Sequence, residues 1–460
     1  MFRTPSIGTI VGIIMLTIGT WLVPVFAAEP ASDESIQMIV ELLGQPDVEL
    51  RGLALQQVRE AMPGEAATRR FAEALPNLSA EAQAALIDAL AARRDAAALP
   101  AIEKRANSTD ERVQAAVLRA IGSLSGARAV PRLVEAVTDA NAAKSAAAKS
   151  TLARIPGAEV NQALAKQLAS APPAVRIALL GILMERDATN IAAEILPLAD
   201  DRDAATRRAA LTALNKLAGP EQVPGLVTLL LKTDEPAERE AVEKALMFAC
   251  ARGKESERAA PILKVYRELP VNARVKVLPA LGRVGGAEAL VVAEAAMNSD
   301  HDELREAGFR ALCNWPDASV AAKLLKLAKS GPSPRHQLSA LRAVIRVAVL
   351  ADGRSDEERL GLLKKAVALA ARDEERNLAI DRAKAVRSIE SLRFVVPYLD
   401  QPAHAQHACA TICELAHHKE LREPNKAEFD AALDRVIALS KDPKLVDRAA
   451  RYKAGRTIEK

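Results

Sequence analysis

Two segments far apart in the chain follow one plan: TDERVQAAVLRAIGSLSG at 109–126 and DDRDAATRRAALTALNKLAG at 200–219. Acids come first, then arginine, then an alanine- and leucine-rich stretch, then glycine. Read as a helix, the second segment sets Ala210, Ala213, Leu214, Leu217 and Ala218 on one stripe, at i, i+3, i+4, i+7 and i+8. Asp203 is placed to cap its start and Gly219 to end it, with Pro220 blocking continuation. The following EQVPGLVTLLLK repeats the spacing with Val223, Leu226, Val227, Leu230 and Leu231, which predicts a second amphipathic helix. The pair recurs along the chain. Taking the apolar residue that closes each alanine–leucine pair as an anchor gives Val58, Leu90, Ile121, Leu152, Leu183, Leu214, Leu246, Leu281, Leu312 and Leu341, mostly 31 or 32 residues apart. Alanine precedes the anchor at 89, 120, 213, 245, 280, 311 and 340. Glycine follows five residues later at 126, 157, 219 and 286, and proline ten later at 100, 131 and 224.

A period of this length specifies stacked supersecondary units, each of which buries its apolar face only against its neighbours. The fold predicted is all-α: a right-handed α-solenoid of antiparallel helix pairs. A helix packed on both sides must be approached closely, which alanine permits and phenylalanine does not. The composition agrees, with 50% hydrophobic residues but only 3% aromatic. Aromatic scarcity argues against stacking platforms for single-stranded nucleic acid. A net charge of +4, with both signs mixed throughout, argues against a basic nucleic-acid stripe.

The residues at this point resemble HEAT repeats, and most closely the short bacterial type called PBS-lyase HEAT-like repeats, whose turn and second helix run Asp-x-x-Val-Arg-x-x-Ala-x-x-Ala-Leu. DERVQAAVLRAI from Asp110, DAATRRAALTAL from Asp203 and HDELREAGFRAL from His301 follow it, and PPAVRIALLGIL from Pro172 keeps Val175-Arg176 without the acid. The resemblance implies a binding array with a concave face lined by second helices. Some relatives of this repeat type resemble bilin lyases, but no nucleophile, phosphate-loop or metalloprotease pattern is present here. The expected function is therefore a non-catalytic scaffold for a protein or peptide, with no cofactor.

Residues 1–27 read as an export signal: Arg3 opens a charge-free run from 7 to 23, Pro24 breaks it, and small residues precede the expected cleavage point. A membrane anchor over 7–26 is the alternative. The array is expected over 29–345. Residues 346–460 read as less regular pairs ending in capping helices, continuous with the array.

Three groups of residues invite chemistry. In HAQHACATICELAHH at 404–418, Cys409, Cys413 and His417 share a helix face and could hold zinc or copper, in a metal-binding or redox-associated module. The same cysteines are also the apolar stripe of that helix. Asp47, Arg51, Asp110, Arg176, Asp203, Arg207, Asp302 and Arg305 recur at one place in the repeat, as does Arg335. They suggest either anion binding or a structural ladder of charge-assisted hydrogen bonds along the turns. Arg59, Arg93, Arg94, Arg154, Arg186, Lys216 and Arg283 follow the anchors and would collect along one edge, open to an acidic partner or merely solvated. Cys250 and Cys313 fall two units apart, too far for a disulfide.

Overall fold

The computed structural model describes residues 33–60 and 63–456; the expected leader at 1–27 and the anchor alternative at 7–26 lie outside them. Every regular element among the described residues is helical. The chain divides into two compact units after Val160.

In the first unit, helices Val48–Glu60, Ala80–Ala92, Glu111–Ser125 and Ala142–Arg154 carry the first four anchors, and each packs on the next. The second unit continues the pattern through Pro173–Glu185, Ala204–Leu217, Pro236–Ala251, Val271–Val284, Asp302–Cys313 and Pro334–Ala348. Asp373–Ala383 and Ala405–His417 extend this row of anchor helices, again each against its neighbour. Within each unit the contacts run from pair to successive pair, which is the construction of a helix-pair solenoid. All ten anchors are at most 5% exposed, and the seven alanines before them are fully buried. The stripe written in the sequence is therefore the seam between layers.

Local signals set the helix limits. Ser79, Asp110, Asn141, Asp203 and Ser333 each cap an anchor helix, their side-chain oxygens accepting a free backbone N–H of the first turn. Gly126, Gly157 and Gly286 take φ of +55°, +107° and +99°, where a Cβ would be strained. Gly219 stays extended, and its helix stops at Leu217 with no left-handed residue. The first helix of some pairs is shorter than the periodicity predicts. It shrinks to Leu99–Glu103 and Val130–Val134, each entered through a 3-10 turn. Pro100 and Pro131 sit in those first turns, where a missing N–H costs nothing and the helix can begin but not pass through.

Two glycines mark close approaches to backbone, Gly282 between successive anchor helices and Gly308 against the first helix of its own pair. A Cβ on Gly282 would lie 2.5 Å from the carbonyl oxygen of Ala311 and 2.6 Å from its Cα, and one on Gly308 would lie 2.8 Å from the amide nitrogen of Met297. Beyond residue 348 come three further pairs: Asp356–Leu369 with Asp373–Ala383, Ile389–Val395 with Ala405–His417, and Lys426–Leu439 with Pro443–Lys453. The last helix buries only Ala449 and Tyr452, leaving a wettable end.

Candidate binding site

The residues expected to form a turn ladder divide into two roles. Three of the four acids, Asp47, Asp110 and Asp203, are helix caps, whereas Asp302 is the first residue of its helix. Asp47 accepts from the backbone N–H of Glu49 at 2.8 Å and Leu50 at 3.2 Å. Asp203 accepts from both the amide and the hydroxyl of Thr206, which hold its carboxyl below the usual range. Asp110 accepts from the Arg112 guanidinium and from the amides of Arg112 and Val113, and is pulled down to about 2. Asp302 accepts from Arg305.

The arginines do something else. Each reaches back to a carbonyl just before its own helix: Arg51 to Gln45, Arg176 to Leu168, Arg207 to Asp201 and Arg305 to Ser299. Three also cross to a carboxylate of the following pair, Arg51 to Glu81 at 2.7 Å, Arg176 to Asp201 at 2.6 Å and Arg207 to Glu238 at 2.6 Å. Only Arg305 pairs with the acid of its own turn, Asp302. The capping acids are already engaged by backbone N–H groups, so the guanidinium finds its partner one layer on.

This position lies seven residues before the anchor, and it does not require arginine. Gln83 donates to Leu78 at 2.9 Å, Gln114 to Ser108 at 2.6 Å, Ser145 to Val137 at 2.7 Å and Arg274 to Arg267 at 2.8 Å, all onto backbone carbonyls. In the tenth repeat the donor is Gln337, to Gly331 at 3.1 Å. That places the register point at Val344, not Leu341, and restores a 32-residue step from Leu312. A search for arginine alone misses four of these donors and wrongly includes Arg335, which does not hold the position and is exposed.

Most of the basic edge is also internal. Arg93 donates to the Val58 carbonyl, Lys216 to that of Met184 at 2.5 Å, Arg186 to the Asn161 side chain at 2.7 Å, and Arg283 pairs with Glu243 at 3.4 Å. The first two cap the C-terminal end of the preceding anchor helix, where cations are favoured. Arg59, Arg94 and Arg154 remain exposed.

The histidine–cysteine segment forms helix Ala405–His417, and its groups turn apart. Cys409 and Cys413 are fully buried, and burial pushes the Cys413 thiol up to about 12. Cys413 Sγ donates to the carbonyl of Leu445, whereas His417 Nδ1 meets the Tyr452 hydroxyl at 3.1 Å. His404, 3% exposed, contacts Asn377 Oδ1 at 2.7 Å, and His407 contacts Asp381 at 3.0 Å. Among the described residues no three His, Cys, Asp or Glu side chains converge as a metal donor set, and the four cysteines are free thiols.

Grooves instead open between consecutive anchor helices, on the side away from the first helices. One of about 520 Å³ lies between Ala204–Leu217 and Pro236–Ala251, lined by Leu211, Thr212, Asn215, Ala237 and Ala241. Three layers on, the groove between Asp302–Cys313 and Pro334–Ala348, about 390 Å³, uses the same register positions: Phe309, Arg310, Cys313, Arg335 and Ser339. A groove of about 470 Å³ in the first unit is lined by Arg94, Arg119, Ser123, Ser150 and Arg154.

The 302–348 groove is the most charged. Arg342 donates to the buried Glu375 carboxylate at 2.8 Å, and Arg372 does so at 2.7 Å from the other side. These two guanidiniums, Arg372 foremost, hold Glu375 below the usual carboxylate range. Arg346 caps the Asp302–Cys313 helix through the carbonyls of Cys313 at 3.1 Å and Trp315 at 2.6 Å. His336 bridges Ser333 Oγ at 2.7 Å and Glu306 at 2.9 Å, its ring edge-on to Phe309 with centroids 4.5 Å apart. Arg310 and Arg335 are exposed and pair with no carboxylate among the described residues.

With a period, a cap, a carbonyl ladder and an alanine seam all in place, sequence comparison gives a matching answer. Residues 68–153 and 161–247 match the HEAT-repeat family. Solved structures resembling this chain include the karyopherin Kap121p bound to Nup53p, at 13% identity and TM-score 0.46, covering 92% of this chain and 53% of that one. Kap121p bound to the SUMO protease Ulp1p aligns at 12% identity and the same TM-score, with the same coverage. Kap95p with RanGDP aligns at 14% identity and TM-score 0.43, covering 91% of this chain and 65% of that one. The chain thus spans about half the length of the first of these karyopherins. No curated protein matches it by sequence.

Proposed function

We propose that the chain is a non-catalytic, exported scaffold that holds a protein or peptide on the face presented by its anchor helices. One observation carries this reading: the grooves at 204–251 and 302–348 use identical register positions but different side chains. What is constant in the repeat (anchor, alanine, cap, carbonyl donor) is spent inside the stack. What varies faces outward, as a surface fitted to a particular macromolecule requires. The non-catalytic reading rests on how the reactive groups are used. Three of the four thiols are buried, and His336, His404, His407 and His417 are tied to Glu306, Asn377, Asp381 and Tyr452 respectively. Export rests on the leader over 1–27, and kinship with PBS-lyase HEAT-like repeats on the Asp-x-x-Val-Arg pattern. No structural observation favours the metal-binding alternative.

A photo-crosslinking residue at Thr212 or Ser339, on this face, tests the reading against one at Thr228 or Val291, exposed on first helices. The expected result is one discrete partner captured from the exported fraction at Thr212 and Ser339 only. Equal capture at the outer positions, or none at the inner ones, contradicts it.

A further inference from the structure

We propose that the groove between helices Asp302–Cys313 and Pro334–Ala348 receives an acidic segment of the protein partner, its carboxylates held by Arg310 and Arg335. The inference rests on the preceding reading that this face binds protein, and it names the chemistry of what is bound.

Many long basic side chains at the ends of the anchor helices are consumed by the fold, on a carbonyl or on a carboxylate, as Arg93, Lys216, Arg283 and Arg346 are. Arg310 and Arg335 differ. They line the same cavity from its two walls and have no carboxylate partner among the described residues. Four arginines face the groove (Arg310, Arg335, Arg342, Arg346) against two carboxylates, Glu306 and Glu375. Glu306 is engaged by His336, and Glu375 is shared with Arg372 outside the groove, so positive charge remains in excess. Arg342 and Arg346 are held by their own partners, so the rear of the groove is a preorganised positive wall, and an anion entering it need order only two side chains. A carboxylate suits the planar fork of arginine, which can bind it through two parallel hydrogen bonds. Phe309 and Ala343 supply an apolar floor for the aliphatic stem of a glutamate or a neighbouring leucine.

The equivalent groove three layers earlier has no such excess, its lining holding one arginine, Arg208, with two carboxylates, Glu235 and Glu238. Thr212, Ala237, Lys244 and Phe248 stand where Arg310, Arg335, Arg342 and Arg346 stand here. The charge is therefore not a constant of the repeat, although the first-unit groove also carries Arg94, Arg119 and Arg154, of which Arg119 is paired with Asp88. A nucleic acid fits less well. The two rings lining the groove are Phe309, 6% exposed, and His336, tied to Ser333 and Glu306; they pack edge-on against each other and offer a base no open stacking platform. One groove is also a short cluster rather than a stripe along the array.

Fluorescence anisotropy on the full chain, with a labelled peptide of alternating glutamate and leucine, tests the proposal. The expected result is saturable binding that weakens as salt rises, and that weakens about tenfold or more (1.4 kcal/mol per decade) in the Arg310→Glu, Arg335→Glu double variant. Both residues are exposed, so circular dichroism and thermal unfolding are expected to match the parent; Arg310→Gln with Arg335→Gln gives a milder loss in the same direction. Thr228→Glu, exposed on a first helix away from the binding face, is expected to leave peptide binding unchanged. The proposal is overturned if the parent fails to bind, if the double variant binds as well as the parent, or if a single-stranded oligonucleotide binds as tightly with the same arginine dependence. The two readings fail separately: capture at Thr212 and Ser339 that survives in the double variant sinks the acidic-segment assignment while leaving the binding face intact.

Discussion

Gly282 offers a test in which the sign of the effect is decided by packing. Glycine inside a helix normally costs about 0.5–1 kcal/mol relative to alanine, so replacing it is usually favourable. Gly361 and Gly181 lie within helices Asp356–Leu369 and Pro173–Glu185 with nothing within 4 Å of where a Cβ would sit. Gly361→Ala and Gly181→Ala are each expected to stabilise by about 0.5–1 kcal/mol. At Gly282 the new methyl would lie 2.5 Å, 2.6 Å and 2.7 Å from the oxygen, Cα and Cβ of Ala311. Two of those atoms are backbone, so the clash is relieved only by moving helix Asp302–Cys313 away from Val271–Val284. Such overpacking costs about 1–3 kcal/mol, which exceeds the propensity gain. Gly282→Ala is therefore expected to destabilise by about 1–2 kcal/mol, and Gly282→Val by more. Urea unfolding followed by circular dichroism measures both signs in one series. If Gly282→Ala raised the midpoint as Gly361→Ala does, the claim that small residues set the layer spacing would be wrong.

Ser145→Ala removes the hydroxyl that satisfies the Val137 carbonyl within the core, and is expected to cost about 1 kcal/mol in the same assay. The depressed carboxyls of Asp110, Asp203 and Glu375 contribute stability that is complete above the ordinary carboxylate range, near 4, and is lost as pH falls through their folded values, about 2 for Asp110. The thermal midpoint is thus expected to drop between pH 4 and pH 2, with a shallower drop in Glu375→Gln; an unchanged profile in that variant contradicts the Arg342–Glu375–Arg372 arrangement. Burial pushes the thiols of Cys250, Cys313 and Cys413 to about 12, so a thiol reagent at neutral pH is expected to label the native chain slowly and all four cysteines only on unfolding.

The architecture was legible because the constraints that build it are local and recur. An anchor such as Leu214, its preceding alanine and the Asp203 cap each obey a rule that a single repeat states and its neighbours restate. The carbonyl donor was half legible. Arg51, Arg176 and Arg207 stand out by type, but Gln83, Gln114, Ser145 and Gln337 meet the same need for a polar side chain that reaches back over the turn, and no residue-type pattern unites them. Whether an arginine pairs within its turn or across to the next layer depends on side-chain direction, which spacing alone does not fix; hence Arg207 meets Glu238, whereas Asp203 was its neighbour in sequence. The cysteine pair Cys409 and Cys413 satisfied two descriptions at once, core stripe and metal face, and only the burial of both thiols and the turning of His417 to Tyr452 separated them. The groove was the least legible feature. Arg310 and Arg335 lie 25 residues apart and match no motif, and only the packing of two helices brings them to one cavity.

The central claim is that successive anchor helices form successive layers, so that one period of sequence is one step in space. Spin labels on Thr212→Cys paired with Lys244→Cys, Arg310→Cys or Arg342→Cys, in a Cys313→Ser background, measure this within the second unit, one, three and four layers from the common site. At roughly 8–10 Å per packed layer, the account predicts distances that grow in that order, with the last two near 25–30 Å and 32–40 Å. An Arg342 label found as close to Thr212 as the Lys244 label would contradict it.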